Sequence, residues 1–297
     1  MNYVAGEPGA FVSSASLAQL ASLRSIGANW ISLIIPCAQN LGNPTIDCST
    51  PVTPTDSEIA RTVDLAHGQG LNVALKPHIA RPDGLWSGDL TFEAEAQWRA
   101  WFENYRRMVA HYAAFQPDLF VIGTELSRTT QRAQDWRRVI QFVRRIYHGP
   151  ITYAANHSGE EMRIKWWDAL DLIGVDAYYP LTDHKRPTLD ELKSAWAPIA
   201  RRLARLSHRW HKPILFTEIG YQAVVGANMT PWQHSDPQLA LDEQANCYRA
   251  VFESFSNQRW WRGALWWEWR VPESDPWRMA FTPEHKPAAD VLREHWQ

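Results

Sequence analysis

Eight short apolar, β-prone runs alternate with longer amphipathic helical patterns from one end of this chain to the other, and few folds accept that rhythm. The runs read as strands at 2–5, 29–36, 71–77, 118–124, 150–155, 171–177, 213–218 and 263–268. Their length and β-branched content are those of parallel strands buried on both faces. Helical patterns lie between them at 14–27, 55–69, 92–115, 131–147, 188–210 and 238–258, with a last one at 285–296. The segment from Glu160 to Leu170 has room for one or two helical turns. Thr53-Pro54-Thr55-Asp56-Ser57-Glu58 offers capping hydroxyls ahead of Ile59. Gly27, Gly70 and Gly149 stand where helices are expected to stop. This count is that of a single-domain (β/α)8 TIM barrel spanning 1–297, and 297 residues suits a fold of about 250 residues plus loop insertions. A doubly wound open sheet is the main rival, but the chain carries neither GxGxxG nor GxxxxGK[ST].

In such a barrel the strand C-termini converge on one face, so the residues there carry the chemistry. The longest Pro/Gly-rich stretches, 36–54, 80–90, 178–188 and 222–237, follow strands two, three, six and seven and build that face. Asp118-Leu119-Phe120-Val121-Ile122-Gly123-Thr124-Glu125 and Pro213-Ile214-Leu215-Phe216-Thr217-Glu218 each run an apolar strand directly into a glutamate. Other strand ends deliver Lys76 and His78, Asn156 and His157, Asp176 and Tyr178, and Tyr221. Strand eight reads Leu265-Trp266-Trp267-Glu268-Trp269-Arg270. Alternation puts Trp267 and Trp269 on the mouth side, one of them flooring a sugar subsite, and sends Trp266 and Glu268 toward the helices.

Two facing carboxylates are the minimum equipment for cleaving a glycosidic bond. One stays ionised to attack, and the other holds a proton for the leaving oxygen. Glu218 is the better nucleophile, given a nearby Tyr and an Asn or cation to keep it charged. Glu125 is the better acid/base, because an apolar strand end raises its pKa by desolvation. Lys76, His78, Asn156 and Tyr178 are expected to hold sugar hydroxyls or the nucleophile, while Asp176 supports the site. Seventeen tryptophans supply flat surface for stacking on sugar rings, with Trp86 a candidate outer platform and the Trp166-Trp167 pair read as packing.

Other classes fit less well. A net charge of −2 gives no footprint for nucleic acid or an anionic membrane. With one clear strand-end histidine, His78, a second at His157 and no His-x-His, the 11 histidines do not make a metal centre, and neither metal nor cofactor is called for. The three cysteines, Cys37, Cys48 and Cys247, form no framework, although Cys37 and Cys48 are close enough to close a loop in an oxidising compartment. No run of 18 apolar residues is present. The abrupt start at Met1-Asn2-Tyr3-Val4 leaves open a secreted or periplasmic protein stripped of its signal sequence as well as a cytoplasmic one. A monomer acting on a polysaccharide or oligosaccharide is expected.

The segments Val121-Ile122-Gly123-Thr124-Glu125-Leu126, Phe216-Thr217-Glu218-Ile219-Gly220-Tyr221, Leu75-Lys76-Pro77-His78, Thr152-Tyr153-Ala154-Ala155-Asn156 and Gly174-Val175-Asp176-Ala177-Tyr178 resemble glycoside hydrolase family 113. The resemblance extends over essentially the whole chain. It implies a retaining (β/α)8 glycosidase with endo-β-1,4-mannanase activity, Glu125 as acid/base and Glu218 as nucleophile. Many members of the wider clan carry Asn before the acid/base, where it touches the sugar 2-hydroxyl; Thr124 stands there in this chain, so the sugar itself stays open. Action on another β-glycan, transglycosylation, and a non-catalytic glycan-binding barrel are the alternatives.

Overall fold

A computed structural model describes residues 1–233, 238–271 and 279–296. Among the described residues nine parallel strands form one sheet: β1 (Asn2–Ala5), β2 (Trp30–Ala38), β3 (Asn72–Ala80), β4 (Leu119–Thr124), β5 (Ile151–Asn156), β6 (Ile173–Asp176), β7 (Ile214–Ile219), β8 (Trp261–Trp266) and β9 (Trp269–Val271). They lie in the order β8-β7-β6-β5-β4-β3-β2-β1-β9. Helices α1 (Ser14–Ser25), α2 (Asp56–Gly68), α3 (Glu95–Ala113), α4 (Ala133–Val143), α5 (Glu160–Arg163), α6 (Leu189–Trp210), α7 (Leu241–Phe255) and α8 (Pro287–Trp296) fall between and after them. β9 follows β8 after two residues and pairs with β1, so the eighth rung closes the ring in two pieces, and the architecture is a (β/α)8 barrel. Of the loop 222–237, residues 234–237 lie outside the described residues.

Local chemistry accounts for the element boundaries. Thr55 and Thr188 cap α2 and α6 as full capping boxes with Glu58 and Glu191, and Ser13 caps α1 through Ser16 N. Gly27 and Gly70 end helices with φ of 93° and 72°, where a Cβ is disfavoured. Gly149 has a different reason: α4 already ends at Val143, and a Cβ at 149 would fall 2.3 Å from the Tyr147 hydroxyl. Strands β2 and β3 run two and three residues past their expected ends, to Ala38 and Ala80, and stay paired throughout. Cys37 and Cys48 are disulfide-bonded and tie the loop after β2 back to its strand beside the Ala38–Asp47 bridge; Cys247 is a buried thiol.

Strands β4 to β7 are buried at every position, as strands covered on both faces must be. Much of the tryptophan surplus fills the layer between sheet and helices: Trp136 stacks on Trp166 at 5.0 Å, and Trp266 stacks on Tyr248 of α7 at 3.9 Å. The barrel floor is a separate small cluster of Ala74, Leu119, Leu215 and Leu265. Above it the interior turns polar, with Asn2, Lys76, Asp176 and Thr217 all fully buried.

Gly123 shows how tightly this layer is fitted around the end of β4. A Cβ there would sit 2.5 Å from the Tyr105 hydroxyl and 2.9 Å from the Tyr153 ring. Tyr105 cannot retreat without losing its 2.6 Å bond to the Ile122 carbonyl. Gly123→Ala is expected to lower unfolding free energy by about 1–3 kcal/mol, read as a fall in the urea midpoint. An unchanged midpoint would show that this layer is looser than the contacts indicate.

Candidate active site

The site is built on β3, β6 and β7 on one side and on β4 and β5 on the other. Alternation along β3 turns Lys76 and His78 inward one above the other. Lys76 is fully buried; its Nζ donates to Glu218 Oε1 at 2.5 Å and lies 3.4 Å from Asp176 Oδ1. Asp176 also accepts from Thr217 Oγ1 at 2.8 Å, which fixes the carboxylate that backs Lys76. His78 Nε2 lies 3.3 Å from Glu218 Oε1, without good hydrogen-bond alignment. Tyr178, just beyond β6, donates its hydroxyl to Glu218 Oε2 at 2.8 Å.

Glu125 sits among neutral donors. Asn156 Nδ2, at the end of β5, donates to Glu125 Oε1 at 2.7 Å, and Trp86 Nε1, from the loop after β3, donates to Oε2 at 2.8 Å. The pairing slips just ahead of both glutamates, between Val121 and Thr124 on β4 and between Val175 and Asp176 where β6 meets β7. Such irregularities re-aim side chains at barrel rims. Glu125 itself adopts φ 51°, in the left-handed region.

These partners pull the two carboxyls apart in acidity. Burial raises Glu125 first and the nearby Glu218 charge raises it further, to about 7, against the bonds from Trp86 and Asn156. Burial also acts on Glu218, but the Lys76 ammonium and then His78 outweigh it and hold that group at about 2. Asp176 is pushed up by burial and by the Glu218 charge despite Lys76. Between about pH 2 and 7, therefore, one carboxylate and one carboxylic acid face each other, the arrangement that acid-assisted displacement at a sugar carbon requires.

Asn156, expected to hold a sugar hydroxyl or the nucleophile, donates to Glu125, because β5 lies next to β4 in the sheet. Two expectations need correction. Trp269 does not face the mouth: it is buried, its Nε1 donates to Gln19 Oε1 on α1, and it pairs with Tyr3, whose hydroxyl also points to α1. Glu268, expected toward the helices, is buried near Glu218, accepts from Arg270 Nε at 2.7 Å and has its pKa raised by burial. The reason is the split eighth rung. β8 stops at Trp266 and β9 takes its register from β1, so alternation does not carry across. Trp267 remains half-buried at the mouth, its ring 6.3 Å from His78 and nearly parallel to it. Tyr221 is buried near Cys247 and Tyr248 of α7, and Tyr178 is the tyrosine on Glu218.

Sequence reasoning missed the bond from Trp86 to Glu125, as well as Glu160 and Tyr153 behind it. It also missed Trp232, which is 47% exposed and lies 5.0 Å from the His157 ring. No pattern in the chain announces contacts made between loops so far apart. Among the described residues no group of three or more His, Cys, Asp or Glu side chains is placed to hold a metal ion, and no helix is long and apolar enough to cross a membrane.

The family model of Glycoside Hydrolase Family 113 matches residues 2–279. The chain belongs to glycoside hydrolase family 113. Similar solved structures of the family include the GH113 β-mannanase AaManA from Alicyclobacillus acidocaldarius in complex with ManMIm, at 32% identity and TM-score 0.91 over 100% of this chain and 96% of that one. A GH113 β-1,4-mannanase complex matches at 25% identity and TM-score 0.88, over 100% and 98%. The β-glucuronidase of Ruminococcus gnavus, at 14% identity and TM-score 0.68, shares the fold over 49% of its length. No curated protein sequence matches the chain. As a family 113 protein it is a glycoside hydrolase.

Proposed function

We propose that this protein cleaves internal β-1,4-mannosidic links in mannan or glucomannan by a two-step retaining mechanism, with Glu218 as nucleophile and Glu125 as acid/base. The observation that carries the roles is the contrast in partners: a cation and a phenol on Glu218, neutral amide and indole donors on Glu125. The substrate rests on the β-mannanases it resembles over its full length.

In the first step a Glu218 oxygen bonds to the anomeric carbon as the bond to the leaving oxygen breaks. That oxygen takes the Glu125 proton, leaving a glycosyl ester and a free chain end. Ester formation removes the Glu218 charge, and with it one cause of the raised Glu125 pKa. Glu125 is then ionised and ready to take a proton from the water that attacks the ester. Lys76 and Tyr178 hold Glu218 while its charge is spent and restored, and Trp267 offers a ring face to the sugar at the cut. Neither step draws on a metal or a cofactor.

The test is release of reducing ends from β-mannan, glucomannan, β-glucan and xylan, with product sizes followed over time. Early appearance of mid-length mannan oligosaccharides supports internal cutting of mannan; cleavage confined to another polymer moves the specificity elsewhere. The pH profile adds a second test. The free-enzyme profile of kcat/KM should lose activity upward through about pH 7 as Glu125 gives up its proton, while Glu218 stays ionised down to about pH 2. Activity that holds level to about pH 9 would contradict a Glu125 general acid.

A further inference from the structure

The acid/base candidate sits in a backbone conformation that non-glycine residues rarely adopt, with φ 51°. Such a residue persists only where its surroundings over-determine it. Here three bonds do so. Glu125 N donates to the Ala154 carbonyl at 2.8 Å, Leu126 N donates to the Tyr153 hydroxyl at 2.6 Å, and Asn156 Nδ2 grips the Glu125 carboxyl at 2.7 Å. Two of the three lead back to one side chain. Tyr153 donates its hydroxyl to Glu160 Oε1 at 2.7 Å, and the Asn156 backbone N–H donates to Glu160 Oε2 at 2.7 Å. Glu160 is wholly buried at the start of α5, four residues past the end of β5.

We propose that Glu160 is a positioning residue for the general acid/base: one oxygen fixes the backbone turn at Glu125 through Tyr153, and the other fixes the amide that holds the Glu125 carboxyl. The proposal rests on the reading of Glu125 as acid/base.

The polarity of the chain of bonds requires an acceptor at 160. Because the Tyr153 phenol spends its proton on Glu160, its lone pairs are free to accept from Leu126 N. A buried carboxylate is costly unless its oxygens are satisfied, and both are, each on an arm that ends at Glu125. The charges that raise Glu125 are those of Glu218 on β7 and Glu160 on α5, and the Glu125 charge acts in turn on Lys76 of β3 and on Asp176 and Tyr178 at the end of β6. Burial raises Glu160 itself, against the bonds from the Asn156 N–H and the Tyr153 hydroxyl and the Arg163 cation of its own turn. Its negative charge therefore adds to that of Glu218 in raising Glu125.

The experiment measures kcat, KM and their pH dependence on mannan oligosaccharide for the wild type, Glu160→Gln and Tyr153→Phe, with the melting temperature of each. Glu160→Gln keeps the shape and one acceptor but removes the charge. It should move the alkaline limb of kcat/KM down by roughly 0.5 pH unit and lower kcat about tenfold with KM nearly unchanged. Tyr153→Phe cuts the backbone arm alone: kcat should fall and the limb should stay. A Glu160→Gln profile that superimposes on the wild type, or a kcat loss matched by an equal loss of folded protein, overturns the proposal. If Glu160→Gln does not fold, full activity of Tyr153→Phe overturns it, and a lowered kcat at wild-type KM supports it. Glu125→Gln run beside them separates the two ideas. If that variant turns over normally, the acid/base reading fails; if it is inactive and the Glu160→Gln limb stays put, only the role of Glu160 falls.

Discussion

Glu218→Ala is expected to lower kcat/KM on mannan by on the order of 10⁴-fold or more, the largest effect of any single change in this protein. The carboxylate supplies the attacking oxygen, and no described neighbour can replace it. Asp176 is wholly buried behind Lys76, with one oxygen already bonded to Thr217, so it is not placed for attack. Lys76 keeps Asp176 as a partner at 3.4 Å when Glu218 is removed, so the variant should stay folded and bind substrate. The measurement is initial rate with matched circular dichroism spectra. Residual activity within tenfold of wild type would assign the attack to another group.

Glu125→Ala should behave differently with different leaving groups. On mannan, whose leaving sugar oxygen needs a proton, kcat/KM should fall by roughly 10²–10⁴-fold. On an aryl mannoside whose phenol leaves without help, the first step should be nearly spared, and the covalent ester should accumulate because nothing deprotonates the attacking water. A burst of phenol followed by slow turnover is the signature. Azide, which attacks without needing a base, should restore turnover and yield a glycosyl azide. Equal losses on both substrates, with no burst and no rescue, would remove Glu125 from the acid/base role.

How much of this could be read from the chain depends on the range of the interactions involved. Strand and helix periodicity are local, so the eightfold alternation and the two strand-end glutamates were visible without coordinates. The resemblance to family 113 rested on those same strand-end segments, and the family match extends over residues 2–279. The register around Trp267 was not legible. A period of two holds only while one strand continues, and β9 takes its register from β1, more than 260 residues away in sequence. Asn156 was visible as a strand-end amide, but its bond to Glu125 was not, because which glutamate it meets depends on sheet neighbours and not on its own strand. Trp86 was visible as an aromatic in a long loop, yet its bond to Glu125 spans 39 residues and follows from how that loop folds over the barrel rim.

By itself, then, the sequence determined the barrel, its family and the residue types that gather at its mouth, since these follow from periodicity and from where each strand ends. Which glutamate stays ionised and which neutral was expected from the strand ends, but only the tertiary structure decided which groups hold them so. That difference arises from burial and from Lys76, 142 positions from Glu218 along the chain and 2.5 Å from it in space. Charge interactions act through distance and local dielectric, and the folded chain alone sets both.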